Sequence, residues 1–114
     1  MVTEKVWGKE TVFASTERYC GKFLEFSEAG KKTGMHFHRD KDETLVVTCG
    51  TFKIHFFDLS TGELDERVLR VGDTWRNPPM FPHQIESLES GSVIIEVSSS
   101  NAPDDVLKLS TEDA

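Results

Sequence analysis

The stretch from Gly30 to Gly50, GKKTGMHFHRDKDETLVVTCG, constrains this chain more than any other. His36 and His38 are separated by one residue. In a β-strand alternate side chains share a face, so the two imidazoles project together. Glu43 follows at the head of an apolar run, Thr44-Leu45-Val46-Val47-Thr48, that reads as the next strand. Further on, Phe81-Pro82-His83 supplies a third imidazole at the start of a later strand. Three imidazoles and one carboxylate on neighbouring strands can converge on a divalent transition metal, because nitrogen donors suit Fe, Mn, Zn, Co or Ni. A His-x-His pair alone is more often an accident of a polar strand or a satisfied core histidine, so the case for metal rests on the whole set.

Around this stretch the chain reads as strands and turns with almost no helix. Val6-Trp7-Gly8 and residues 11–15 are short extended pieces, the latter suited to an edge strand or a dimer contact. Residues 19–27 alternate, with Phe23, Glu25 and Ser27 opposed to Leu24 and Phe26, which marks a half-buried strand. The charged loop 39–42 is expected to place His38 and Glu43 on adjacent antiparallel strands. Gly50 can take a positive φ in the tight turn that follows. Phe52, Ile54 and Phe56 then face the core, so Lys53 and His55 face away, and His55 stays outside the metal set. Residues 58–63 form a hairpin loop, residues 64–71 pair back, and the loop 77–82 delivers His83. Two strands, 84–88 and 92–98, complete the pattern. Residues 101–105 resemble a turn, 106–109 can add an edge strand, and the final residues are expected to be loose. Short strands with turn residues between them indicate an all-β sandwich or barrel.

Composition bounds the remainder. A chain of 114 residues is expected to form one domain, 1–114, with a barrel over about residues 19–98, an N-terminal edge strand and a polar C-terminal tail. Its 37% hydrophobic and 29% charged residues describe an ordered globular protein. A formal net charge of −7 argues against nucleic acid, whose binding needs clustered Lys and Arg. No apolar run approaches a membrane span, and the first residues lack a signal-peptide pattern, so a cytoplasmic location is expected. Cys20 and Cys49 lie in separate strand-like stretches and are expected to be reduced thiols. Cys49 is an even number of residues from Glu43, which would put it on the same barrel-facing side.

These residues resemble the cupin family. Its first motif is a Gly, five residues, His-x-His, three or four residues, Glu, six residues and Gly, and Gly30, His36, His38, Glu43 and Gly50 meet every fixed position. Its second motif, Gly, five residues, Pro-x-Gly, two residues, His, three residues, Asn, is met by Gly72, Pro78 and His83. Met80 stands in place of the second Gly and Ser87 in place of the Asn. The resemblance implies a double-stranded β-helix, or jelly-roll barrel, holding one divalent transition metal (Zn, Mn, Fe, Ni or Co) on His36, His38, Glu43 and His83. A weaker likeness carries further. Trp7-Gly8 with Glu10, Tyr19-x-x-Lys22, Gln84-Ile85-Glu86, Glu96-Val97-Ser98 and Asp104-Asp105-Val106 are similar to the type II mannose-6-phosphate isomerases, and residues 72–105 to the small cupins that linearise unsaturated uronates. The first group tends to carry Gln where this chain has His36, and the second Gln where it has Glu43.

That likeness implies an isomerase acting on a small sugar, sugar phosphate or sugar acid. A non-haem iron dioxygenase and a small-ligand-binding module without turnover are the alternatives. An isomerase needs a base to move a proton between carbons, and Glu25, Arg76 and Gln84 are the candidates for base or substrate contact. Tyr19 and Lys22 could bind a phosphate or carboxylate. Trp75 and Phe81 flank the metal-bearing loop, where packing is the commoner role for aromatics. An open N-terminal edge strand is a pairing hazard, and a two-fold homodimer is the common solution.

Overall fold

In the computed structural model, which describes residues 1–100 and 102–110, eleven strands build two facing antiparallel sheets. The strands are β1 (Val2–Lys5), β2 (Gly8–Ser15), β3 (Cys20–Phe26), β4 (His36–His38), β5 (Glu43–Cys49), β6 (Thr51–Asp58), β7 (Glu63–Arg70), β8 (Thr74–Asn77), β9 (His83–Ser87), β10 (Ser92–Ser98) and β11 (Val106–Lys108). One sheet runs β1-β2-β3-β10-β5-β8 and the other β11-β4-β9-β6-β7. A single 3-10 turn, Pro103–Asp105, is the only helical piece among the described residues. Asn101, expected in a turn, and the last four residues, expected to be loose, lie outside the described residues.

Alternation decides which side chains enter the barrel. Leu24 and Phe26 of β3, Leu45 and Val47 of β5, Phe52, Ile54 and Phe56 of β6, Ile85 of β9 and Ile94 of β10 are buried together with Trp7 and Leu69. Trp7 stacks on Phe26 at 4.5 Å between centroids, and Phe26 meets Phe52 edge-on at 5.1 Å. Such aromatic pairs contribute about 1 kcal/mol beyond the area they bury. Trp7, between β1 and β2, is part of this core. Val6 and Trp7 form a hairpin turn rather than an extended piece, β2 pairs along β3, and the open edge is β1. Trp75 and Phe81 pack against Phe56, with ring centroids at 4.9 and 5.7 Å.

Two local features refine the sequence reading. Cys49 is exposed, not barrel-facing. A bulge between β5 and β10 sets Val93 opposite Cys49 but Ile94 opposite Val47, so one extra residue reverses the alternation. Both cysteines are free thiols. Ser87, which stands in place of the motif's Asn, ties the end of β9 to the turn before β4: its hydroxyl donates to Glu28 O at 2.5 Å, and its carbonyl accepts from Gly30 N at 2.8 Å.

Met80 occupies the other departure from the motif, with φ at 66°. The left-handed region costs a side chain with Cβ about 1–2 kcal/mol. Met80 is held there because its amide donates to His38 O at 2.7 Å, joining the loop before β9 to strand β4. Met80→Gly is therefore expected to raise stability by about 1 kcal/mol, read as an upward shift of the denaturant midpoint at unchanged slope.

Candidate metal centre

Four polar side chains meet inside one end of the barrel. On β4, Phe37 turns outward while His36 and His38 turn inward. His83 opens β9 and is the register partner of His36. Glu43 opens β5 in the opposite sheet. His38 and Glu43 therefore face each other across the barrel, not along adjacent paired strands as the sequence suggested, because the loop 39–42 crosses between the sheets. His36, His38, Glu43 and His83 are all buried, and one donor atom from each lies within 4.8 Å of the other three.

Hydrogen bonds fix which atoms point inward. His36 Nδ1 lies 2.8 Å from Gly34 O, and His83 Nδ1 lies 2.8 Å from Phe81 O. On this network both Nδ1 atoms carry the proton and donate, which leaves the Nε2 lone pairs free to ligate. Glu43 Oε1 is 3.1 Å from His83 Nε2 and 3.4 Å from His38 Nε2. Among the described residues this buried oxygen has no hydrogen-bond donor. Lone pairs converging without a shared proton repel each other, and a cation between them removes the repulsion.

Electrostatics agree. Burial, with His83 beside it, pushes His36 down to about 3, so its imidazole is neutral and available as a ligand at physiological pH. Burial alone would raise the Glu43 carboxyl, but the positive charge of Lys41 is among the causes that hold it well below the usual carboxylate range.

A cavity of about 660 Å³ opens over the four residues. Two ion pairs line it: Lys41 Nζ to Glu96 Oε2 at 2.7 Å, fully buried, and Lys22 Nζ to Glu10 Oε1 at 2.9 Å, partly buried. Burial and the nearby Glu43 carboxylate raise Glu96 to about 7, against the pull of Lys41. Burial would lower Lys41, but Glu96 and Glu43 together raise it above its ordinary value.

No family model matches the chain, and no curated protein is similar to it at a significant level. Solved structures are similar. KdgF from Halomonas sp. aligns at 25% identity over 84% of this chain and 81% of its own, with a TM-score of 0.73. The capsular polysaccharide assembling protein CapF from Staphylococcus aureus aligns at 23% identity over 97% of this chain, with a TM-score of 0.85. Oxalate decarboxylase from Bacillus subtilis aligns at 17% identity over 96% of this chain, with a TM-score of 0.83. The chain spans about a third of these last two proteins, 32% and 30% of their lengths. The fold is that of the cupins.

In this barrel the strand bearing two of the four residues is only three residues long. β9 pairs with it through one register pair, and β11 pairs with it along its length, Val106 opposite His38 and Lys108 opposite His36. Asp105, just before β11, reinforces the link. Its carboxylate accepts from the amides of Arg39, Asp40 and Lys41 at 3.0–3.2 Å, holding the loop that carries the chain from His38 to Glu43. Burial would raise Asp105, but these amides outweigh it and lower it.

Glu25, Arg76 and Gln84, the sequence candidates for base or substrate contact, do not line the cavity. Glu25 is on the outer face of β3, 3.7 Å from Lys9. Arg76 is exposed and binds both oxygens of Asp42, at 3.0 and 2.8 Å. Gln84 donates to Thr33 O at 2.8 Å. Tyr19 is exposed, whereas Lys22 is buried in the cavity wall. His55 faces away as expected and contacts Glu86 at 2.8 Å. The groups the sequence reading missed are Glu10, Lys41 and Glu96. Glu96 carried a signal, since it shares the inward phase of Ile94 on β10.

Two outcomes follow. Protein purified without added metal and then dialysed against Mn, Co, Ni, Zn or Fe(II) is expected to hold about one equivalent by elemental analysis, and the His36→Ala/His38→Ala variant none. Asp105→Ala is expected to lower stability by about 1–2 kcal/mol at pH 7, as loss of a charged hydrogen-bond acceptor. Because the folded-state value of Asp105 is lowered, its contribution is present above the ordinary carboxylate range and fades as pH falls. The wild-type and variant denaturation midpoints should therefore converge in acid.

Proposed function

We propose that this cupin is a metal-dependent isomerase acting on a small sugar, sugar phosphate or sugar acid. The observation that carries the reading is the buried His36-His38-Glu43-His83 set at the floor of an open cavity of small-molecule size. The name of one similar structure, a capsular polysaccharide assembling protein, is in keeping with a carbohydrate substrate.

His36, His38, Glu43 and His83 would hold the ion, with the remaining positions open to substrate. A bound divalent ion supplies Lewis acidity toward neighbouring hydroxyl and carbonyl oxygens. The chain itself has to move the proton. Glu96 is the carboxylate placed to do so, being buried, aimed into the cavity and held by Lys41. In an aldose–ketose exchange it would take the proton from the carbon beside the carbonyl and return it to the former carbonyl carbon, while the hydroxyl proton passes between the two oxygens. Lys41 keeps the carboxylate in place, and the barrel wall excludes bulk water from the reacting carbons.

The test is a screen of the metal-loaded protein with aldoses, hexose phosphates and hexuronates, following interconversion by NMR. Glu96→Gln is expected to lower turnover of any substrate found by about 100-fold or more at unchanged metal content. Metal uptake without conversion of any of these substrates would leave a binding module, and oxygen consumption by the iron-loaded protein would move it to the dioxygenases.

A further inference from the structure

The cavity wall carries an ordered row of charge. Lys22 on β3 is the register partner of Glu96 on β10. Lys22 pairs with Glu10 on one side, and Glu96 pairs with Lys41 on the other. Lys41 lies two residues before Glu43. Acids and bases thus alternate from Glu10 at the rim to a member of the metal set at the floor. Both lysines are 6% exposed. A buried ion pair contributes little beyond what apolar packing of the same volume would give. Lys22 is also next in phase to Leu24, on a strand whose inward positions otherwise turn apolar.

The sign of the cavity is opposite to that of the protein. Of 13 Lys and Arg residues, four line it (Lys5, Lys22, Lys41 and Lys108), against three of the 20 Asp and Glu residues, Glu10, Glu43 and Glu96. That leaves one excess positive charge, to which a divalent ion adds two, inside a chain of net charge −7. Such local fields select the charge of what enters. The two lysines are not equivalent. Lys41 is held by Glu96 and also feels Glu43. Lys22 gives Glu10 one of its three N–H donors, and Glu10 sits at the wetter rim with 19% of its side chain exposed.

Accepting the reading that this cavity is the substrate site, we infer that the substrate is anionic. Lys22 Nζ seats its carboxylate or phosphate, and the rest of the molecule extends toward the His36-His38-Glu43-His83 floor. Lys22 is then the residue that selects acidic sugars over neutral ones.

The experiment compares binding of D-galacturonate, D-galactose 6-phosphate and D-galactose by calorimetry, each to Mn-loaded and to EDTA-treated protein. Wild type is expected to bind one of the two anions at least ten-fold tighter than galactose, and which one distinguishes a carboxylate from a phosphate site. Lys22→Gln should abolish the gap and Lys22→Arg keep most of it, with metal content unchanged. Lys22→Met serves in place of Lys22→Gln where the latter does not fold. Equal affinity for all three sugars, no measurable binding of either anion, or a gap that survives removal of the ammonium would overturn the inference. A Lys22-dependent gap in protein that takes up no metal would support the inference while refuting the isomerase proposal. Metal uptake and turnover without the gap would do the reverse.

Discussion

A carboxylate and three imidazoles with their lone pairs aimed at one another are an unfavourable thing to bury, and the rest of the barrel is arranged to hold them there. Glu43 Oε1 faces two ring nitrogens at 3.1–3.4 Å without a donor. Left alone, such a set would relax apart or draw in protons. It persists because His36 and His83 are each anchored through Nδ1 to a backbone carbonyl close by in sequence, so the rings cannot rotate without losing a buried hydrogen bond. Metal binding to such a set is also folding free energy, since the unfolded chain does not hold the four donors together.

Three strands, β3, β5 and β10, divide their inward positions between two chemistries. On β3 they run Cys20 and Lys22, then Leu24 and Phe26; on β5, Glu43, then Leu45 and Val47; on β10, Ile94, then Glu96 and Ser98. Because β10 runs antiparallel to both β3 and β5, its polar half falls beside theirs. The barrel interior thus has an apolar pole, where Trp7, Phe26 and Phe52 stack, and a polar pole around the cavity. The apolar pole supplies the stability that lets the polar pole carry buried charge.

The same alternation explains how much was legible in the sequence. The all-β fold, the inward row of β6 and the convergence of His36, His38, Glu43 and His83 follow from a period of two, joined to the spacing of a recognisable motif. The same rule places two of the candidates for base or substrate contact on the other face of their strands. Glu25 lies out of phase with Leu24 and Phe26, and Gln84 out of phase with His83 and Ile85, so neither could face the cavity. Glu96, in phase with Ile94, could. What alternation does not contain is the bulge that turns Cys49 outward, because that depends on register against β10. Nor does it show that the loop 39–42 crosses between sheets, which depends on a carboxylate, Asp105, more than sixty residues away.

That distant carboxylate joins the two ends of the problem. A three-residue strand contributes too few ladder hydrogen bonds to fix the orientation of two imidazoles. β4 is fixed from outside by β11, by Met80's amide on His38 O, and by Asp105 on the loop beyond. These contacts surround the half of the site that carries His36 and His38, whereas Glu43 and His83 begin longer strands, of seven and five residues. The C-terminal segment is therefore a structural part of the centre although it supplies no donor atom. Geometry at His36 and His38 should respond to changes in residues 105–108 more than to changes of equal size in the apolar pole, where many packed neighbours share any displacement.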